Sequence, residues 1–343
     1  MEIVGVDSDG HVLDNRELVY KHLPESFKKR EWWWTPRNTW DTTIEGQFGQ
    51  PNVNSAEWLD ALEKGNVSKT VLFPTRLLNI NFVQEPELAT ALCIAYNTYL
   101  KENYLDVSSK FKGIALIPMQ DIDQAVRELN RAVSELGMVS AMLPTHGPPV
   151  RPMLGDSYYS PIYEEAQKLG VPLCLHATVT NPSGPEVDPF ERMIDSHTLI
   201  HPFGQMRQLT SMIFRGVFED FPNLNIGSME ARASWVPFFM ERLDEEWNWR
   251  GAAEAPKVTS LPSNYFRNGR IYVCCEPDEA LLPTVMEFVG EDWFMYASDY
   301  PHPDSEFPES LEYLRNREDM DDIKKNKIIR ENAIRFYGLD QSA

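Results

Sequence analysis

Eight short apolar runs are spread along the chain, and acidic or histidine residues follow several of them. The runs span residues 2–7, 67–73, 111–118, 138–143, 171–176, 224–229, 270–275 and 294–298. Continuous apolar runs of this length are typical of parallel strands that are buried on both faces. Helical patterns lie between the runs, over residues 86–106, 122–136, 160–169, 203–220, 235–249 and 279–289. This alternation predicts a (β/α)8 TIM barrel with right-handed crossovers.

The length of the chain, 343 residues, suits one such barrel with insertions. We see no linker and no internal repeat, so the sequence predicts a single domain over residues 1–343. Loops as long as residues 14–57, 146–159, 178–202 and 250–269 are predicted to be lids or subunit contacts. Two further helices, around 308–317 and 322–336, are expected to pack outside the barrel.

Charge and composition narrow the class of partner. The formal net charge is -20, and both nucleic acids and anionic membranes need a basic surface, so the charge argues against either of them as a partner. No apolar stretch approaches membrane-spanning length. Glu2 and Asp7 interrupt the first apolar run, which argues against a signal peptide. The four cysteines show no CxxC spacing, so we expect reduced thiols in a cytoplasmic protein.

Candidate metal ligands stand where the predicted strands end. Asp9 and His11 are two residues apart, and residues i and i+2 of an extended segment point the same way. His176 ends the fifth run and Asp299 follows the eighth. A parallel barrel would bring these ends together at one mouth, where a metal site is expected. The wider set of candidate ligands is Asp9, His11, His176, His201, Glu230, Glu276 and Asp299. Because this set is rich in carboxylates, it favours iron or manganese over zinc, with one or two ions bound.

The same residues carry a family resemblance. Asp9-Gly10-His11, His176 and the segment 298–302, which reads SDYPH, resemble the amidohydrolase superfamily. More narrowly, the chain is similar to the amidohydrolase-related branch of aminocarboxymuconate-semialdehyde, resorcylate and carboxyvanillate decarboxylases. Further similar stretches are residues 71–75, 113–118, 214–218 and 335–338, so the likeness covers nearly the whole chain. The resemblance implies a divalent metal held by Asp9, His11, His176 and Asp299.

Two departures from the family pattern affect the predicted chemistry. Asp9 stands where most members carry the first histidine of a pair. The sixth strand of relatives ends with a histidine that helps to move protons, but residues 227–232 here contain none, and Glu230 takes that place. Glu276 directly follows the seventh run, at the end of the predicted strand, and His201 is expected over the mouth of the barrel. Glu230 could instead be paired with Arg232 or Arg242.

The leading prediction is an enzyme that hydrolyses or non-oxidatively decarboxylates a small organic acid or carbonyl compound. Asp299 is the expected proton shuttle, and Glu230 and His201 are further catalytic candidates. The alternative is a non-heme dinuclear iron, or iron–manganese, monooxygenase, because a small branch of this fold family has that activity. The carboxylate excess and the missing histidine bring the alternative close in weight. A barrel that has lost its metal and serves as a binding protein is disfavoured, because the ligand set looks intact.

Substrate-binding candidates are Arg37, Arg76, Trp34 and His302. A guanidinium can form two parallel hydrogen bonds with a substrate carboxylate, although most arginines are simply solvated. Trp34 belongs to a run of three tryptophans that is either a substrate lid or a loop packed on the barrel or on a neighbouring subunit. The resemblance also suggests a homodimer or a larger homo-oligomer.

Overall fold

The computed structural model describes residues 3–30, 53–146, 153–177, 190 and 192–340. Trp34, Arg37 and half of the long segment 14–57, namely residues 31–52, therefore lie outside the described residues. Every span and contact below refers to the described part of the chain.

Eight parallel strands form one sheet in which each strand pairs with the next along the chain. The strands are β1 Gly5–Val12, β2 Val67–Pro74, β3 Phe111–Ala115, β4 Ser140–Pro144, β5 Leu173–His176, β6 Ile226–Ser228, β7 Ile271–Cys275 and β8 Phe294–Tyr296. Each of the eight overlaps one of the predicted runs. Every residue of the last five strands is buried, which is the reason for their continuous apolar sequences.

Backbone hydrogen bonds bring the end of the sheet back to its beginning. The amide of Asp299, just after β8, donates to the carbonyl of Asp9 at 2.8 Å, and the amide of His11 donates to the carbonyl of Tyr300 at 2.7 Å. The sheet therefore curls into a nearly closed barrel, and the predicted (β/α)8 fold is confirmed.

Helices follow the strands and cover the outside of the sheet. They are α1 Arg16–Tyr20, α2 Glu25–Lys28, α3 Ser55–Lys64, α4 Pro86–Leu100, α5 Ile122–Ser134, α6 Ser160–Leu169, α7 Met193–Phe214, α8 Val217–Asp220, α9 Val236–Glu246, α10 Ala252–Glu254, α11 Asn264–Arg267, α12 Leu282–Val289, α13 Ser310–Asn316, α14 Asp322–Asn326 and α15 Asn332–Tyr337. No helix among the described residues is both long enough and apolar enough to cross a membrane.

Two predicted boundaries were wrong. Strand β1 does not stop at residue 7 but continues through Val12, because its backbone from Gly10 to Val12 pairs again with β2. Helix α7 begins ten residues before the predicted start at 203, with Pro202 inside it. Proline usually ends a helix because it lacks the amide hydrogen, so the sequence pattern placed residues 192–202 in a loop. This extra part of α7 places residues on the cavity described below.

The C-terminal helices do more than pack outside the barrel. Helix α15 carries the buried Phe336 and Tyr337. The Tyr337 hydroxyl donates to the carbonyl of Ser8 in β1 at 2.8 Å and lies 3.6 Å from the Cys174 sulfur in β5. The guanidinium of Arg315 donates to the backbone carbonyls of Ile3, Gly65 and Asn66, so α13 is anchored to the segments that lead into β1 and β2.

Candidate metal centre

Strand β1 supplies two of the candidate ligands. Asp9 and His11 are both fully buried, and the pairing of β1 with β2 shifts register between Asp7 and Gly10, as at a β-bulge. The carbonyl of His11 accepts a hydrogen bond from the indole nitrogen of Trp58 at 3.0 Å. This hydrogen bond ties β1 to helix α3 next to the candidate ligands.

Asp9, His11 and His176 form one compact group. Their ligand atoms all lie within 4.8 Å of one another. The Oδ1 atom of Asp9 is 3.5 Å from Nε2 of His11 and 3.5 Å from Nε2 of His176. A second group, formed by His11, Asp299 and His302, shares His11 with the first. Asp299 Oδ1 lies 3.3 Å from Nε2 of His11 and 2.8 Å from Nδ1 of His302.

Both histidines of the first group present Nε2 to the centre. Nδ1 of His11 lies 2.8 Å from the carbonyl oxygen of Pro74, and Nδ1 of His176 lies 2.7 Å from that of Ala177. A carbonyl accepts a proton only from N–H, so these contacts fix Nδ1 as the protonated nitrogen and leave a lone pair on Nε2. This arrangement of the ring is the one found at metal-ligating histidines.

Several buried polar atoms at the centre have no hydrogen-bond partner among the described residues. They are both carboxylate oxygens of Asp9, Nε2 of His11, Nε2 of His176, Oδ1 of Asp299 and Nδ1 of His302. Buried polar groups in native proteins are nearly always satisfied, so a concentration of orphaned acceptors at one point needs an explanation. A divalent cation would satisfy them, and the mixed imidazole and carboxylate donors suit a transition metal.

The two carboxylates of these groups, Asp9 and Asp299, have pKa values shifted in opposite directions. Burial alone would raise the pKa of Asp9, but the neighbouring imidazoles of His176 and His11 outweigh it and hold that pKa well below its usual range. Burial raises the pKa of Asp299 well above its usual range. Burial and the charge of His302 lower the pKa of His11, whereas Asp9 outweighs the effect of burial at His176 and raises its pKa.

A cavity of about 490 Å³ opens above the two groups. Its wall contains Asp9 and Asp299 at the base and residues of α7, the β6–α9 loop, the end of β7 and the segment after β8. The polar residues of the wall include His197, His201, Glu230, Arg232, Glu276, Asp278, Asp304 and Glu306. The candidate centre is therefore reachable by a small molecule.

Glu230, a predicted ligand, and His201 lie beside the centre and outside the two ligand groups found among the described residues. The Glu230 Oε2 atom is 3.4 Å from Nδ1 of His176 and 3.7 Å from Nδ1 of His201, and the His201 ring donates to the Glu230 carbonyl at 2.7 Å. Burial and the charges of Asp299 and Asp9 raise the pKa of Glu230 well above its usual range. Glu230 also has a backbone φ of 50°, a left-handed conformation that non-glycine residues adopt at a cost.

The other predicted site residues are placed differently. Glu276 forms an ion pair with Arg232 and stands outside the two ligand groups found among the described residues. The Arg76 guanidinium donates to the Asp14 carbonyl at 3.2 Å, on the loop after β2, and does not line this cavity. His302, predicted to bind substrate, lies in the second ligand group instead. Trp34 and Arg37 lie outside the described residues.

Sequence reasoning missed other residues around the centre. His197 stacks edge-on against His201 at 4.7 Å and faces Asp304 at 3.9 Å. The only available signal was the spacing of four residues between the two histidines, which places both on one face of a helix. Nothing in the sequence indicated that α7 begins before them. Arg232, with φ 57°, was considered only as a partner for Glu230.

Fold and site together define a class: a barrel enzyme with a candidate metal centre, formed by aspartate and histidine side chains, at the carboxyl ends of its strands. The family model for amidohydrolases matches residues 6–339. The chain therefore belongs to the amidohydrolase family. The predicted class, a metal-dependent hydrolase or carboxy-lyase, is confirmed.

Relatives of the chain include decarboxylases. It is 26% identical over 308 residues to 2-amino-3-carboxymuconate-6-semialdehyde decarboxylase of Dictyostelium discoideum, covering 87% of this chain and 81% of that protein. It is 28% identical over 284 residues to γ-resorcylate decarboxylase of Rhizobium radiobacter, covering 77% and 82%. The comparisons do not support the monooxygenase alternative.

A solved structure shares the fold. The dihydroxybenzoic acid decarboxylase of Polaromonas sp. JS666, solved with bound manganese and the inhibitor 2-nitroresorcinol, superposes with a TM-score of 0.75 at 20% identity. The match covers 98% of this chain and 97% of that one. The manganese in that protein agrees with the predicted preference for a divalent transition metal.

Proposed function

We propose that the chain catalyses the metal-dependent, non-oxidative decarboxylation of a small hydroxylated aromatic carboxylic acid. The observation that carries the proposal is the group of unpartnered ligand atoms on Asp9, His11, His176 and Asp299 at the base of a cavity. The relatives named above support decarboxylation over hydrolysis as the reaction, and the cavity is large enough for a single-ring acid.

These four residues would hold the cation. When bound, it would neutralise substrate oxygens and stabilise the negative charge that develops as carbon dioxide leaves. Among the described residues of the cavity wall, Arg232 is the one guanidinium, and it is half exposed. Its role is to orient the acid by pairing with a substrate oxygen, for which it would exchange part of its contact with Glu276 and Asp278.

Glu230 is the proton donor in this proposal. Loss of carbon dioxide breaks a C–C bond and leaves the electron pair on the ring carbon, which must then take up a proton. Burial raises the pKa of the Glu230 carboxyl, which favours its protonated form, and this carboxyl lines the cavity beside the proposed ligands. Asp299 was the predicted proton shuttle, but its open oxygen lies among the ligand atoms, where a cation would hold it ionised. Solvent entering the cavity would return the proton to Glu230.

The proposal is tested with manganese-loaded protein in D2O without oxygen, using 2,6-dihydroxybenzoate and 5-carboxyvanillate as substrates. We expect carbon dioxide release, with one deuterium on the carbon that carried the carboxylate. Glu230→Gln should keep its metal and lose about 100-fold or more in kcat, as removal of a general acid does. The control is Glu306→Gln, an exposed carboxylate on the same cavity wall, which should keep its activity. A requirement for O2, or full turnover by Glu230→Gln, would contradict the proposal.

We also infer a cytoplasmic enzyme that forms a homodimer or larger assembly. The four cysteines are buried free thiols, which suits a reducing compartment. The apolar side chains of Leu199 and Phe203, four residues apart on one face of α7, are 38% and 51% exposed, as expected for a surface that another subunit covers. Light scattering of the purified protein measures its mass, and a monomer would contradict the assembly.

A further inference from the structure

One buried carboxylate near the centre is outside both ligand groups. Asp7 in β1 is fully buried and accepts four hydrogen bonds. The amide and hydroxyl of Ser298 donate to its two oxygens, each at 2.8 Å. The hydroxyl of Thr70 in β2 donates at 2.6 Å, and the amide of Asp9 donates at 3.3 Å. A single side chain thus joins the ends of β1, β2 and β8.

The groups that donate to Asp7 border the two carboxylate ligands. One is the amide of Asp9 itself, and two belong to Ser298, which immediately precedes Asp299. Asp299 has a φ of 52°, so the backbone that carries this ligand is in the left-handed conformation. Such a conformation persists only when surrounding contacts determine it. Asp7 fixes the residue before it, and the bond from the Asp299 amide to the Asp9 carbonyl fixes the ligand itself.

The bulge in β1 explains why the backbone at Asp9 needs the hydrogen bond to the Asp7 carboxylate. Register with β2 is broken between Asp7 and Gly10, so Ser8 and Asp9 lack the regular ladder that would otherwise hold them. The Asp7 carboxylate replaces part of that ladder, because it holds the Asp9 amide from within the same strand. Both carboxylate-bearing segments are therefore attached to one rigid, buried group.

We propose that Asp7 is a positioning residue that sets the spacing between Asp9 and Asp299 and so determines the metal affinity of the centre. The proposal rests on the metal centre of the proposed function. In this role, the hydrogen bonds of the Asp7 side chain hold the backbone beside Asp9 and Asp299 in position. A purely structural role would lower stability without changing metal affinity in the folded protein.

The test measures the manganese dissociation constant of folded protein by competition with a chelator, alongside the unfolding temperature. Asp7→Ala should bind manganese about 10- to 100-fold more weakly, the usual effect of losing a group that orients metal ligands. Asp7→Asn should recover most of the affinity. Its Oδ1 can accept from the two amides, and its Nδ2 can donate to the hydroxyls of Ser298 and Thr70, which rotate to accept. Ser298→Ala, which removes one donor only, should give an intermediate loss and remains informative if Asp7→Ala does not fold.

Glu279 offers a matched control. It is also a buried carboxylate, and it accepts hydrogen bonds from the amides of Ala233, Ser234 and Glu276 and from the Ser234 hydroxyl, none of which belongs to the four proposed ligands. Glu279→Ala should lower the unfolding temperature and leave the manganese affinity within about twofold of native. Native affinity in Asp7→Ala, or an equal loss in Glu279→Ala, would overturn the positioning role alone. Absence of manganese binding by the native protein would overturn the metal centre as well.

Discussion

The imidazoles of His201 and His302 have lower pKa values than ordinary surface histidines. Burial and the neighbouring His197 lower the pKa of His201 to about 3, and burial lowers the pKa of His302 to about 4. Both rings are therefore neutral near pH 7. A neutral His201 can keep its Nδ1 hydrogen on the Glu230 carbonyl without adding a positive charge next to the proposed cation.

This neutrality predicts a pH-dependent stability. The unfolded chain protonates His201 below its ordinary pKa of 6.5, whereas the folded chain does so only near pH 3, so the native protein loses stability as the pH falls through this window. Asp7 and Glu276 have pKa values raised to about 6 and about 7, so their protonation increases the stability of the native protein as the pH falls. The contribution of His201 is therefore measured as the difference between the native protein and a variant without this histidine. Between pH 7 and pH 5, the stability of metal-free native protein relative to His201→Gln should fall by about 2 kcal/mol. Urea unfolding at both pH values measures it, and parallel pH profiles would contradict the prediction.

The proposed ligands could be selected from the sequence because they interrupt or follow an apolar strand. Asp9 and His11 lie in the second half of β1, His176 ends β5 and Asp299 follows β8, and the barrel geometry brings these positions together. Glu276 follows the same rule, yet it pairs with Arg232, because a strand-end position does not determine which way a side chain turns. His302 was assigned to the substrate because its contact with Asp299 depends on the turn after β8, for which the spacing of residues gives no signal.

At the scale of elements, β1 is the most constrained strand. Its bulge brings Gly10 against Thr70 of β2, Trp58 of α3 and the Asp7 carboxylate. A β-carbon at residue 10 would lie 2.5 Å from the Thr70 hydroxyl and 2.8 Å from an Asp7 oxygen, too close for any real contact. The strand can therefore carry its polar residues inward only with glycine at this position.

Gly10→Ala should destabilise the protein by about 1–3 kcal/mol, the usual cost of overpacking a core, and should weaken manganese binding because it displaces the Asp7 carboxylate. Gly5→Ala in the same strand is the control. Its nearest neighbour is the end of the flexible Leu311 side chain at 2.7 Å, so it should cost less and leave metal binding intact. Chemical unfolding and chelator competition give both quantities. Equal effects of the two substitutions would contradict the assigned role of Gly10.

The elements themselves were largely predictable, because buried parallel strands need apolar runs and the helices between them show their own period. The beginning of α7 was not, because Pro202 is a strong local signal for a helix start and only tertiary contacts override it. The same error concealed His197, which lies on the part of α7 that the pattern assigned to a loop.

At the scale of the whole molecule, one end of the barrel carries the candidate metal centre. The C-terminal helices contact the barrel elsewhere. The strand ends present ligands to the cavity, while Tyr337 of α15 reaches Ser8 of β1 and Arg315 holds the segments before β1 and β2. The sequence predicted the first arrangement from the polar residues at strand ends. It did not predict the second, because a tyrosine near the end of an amphipathic helix gives no indication of which surface it will contact.

The central claim is that Asp9, His11, His176 and Asp299 form a metal centre. The most direct measurement is elemental analysis of protein purified without added metal, for the native chain and for His176→Ala. A matched control is His22→Ala, because His22 pairs with the exposed Glu102 and belongs to neither ligand group. The account predicts at least one manganese or iron ion per chain in the native protein and in His22→Ala, and almost none in His176→Ala, because loss of a ligand weakens binding. A full complement of metal in His176→Ala would contradict it.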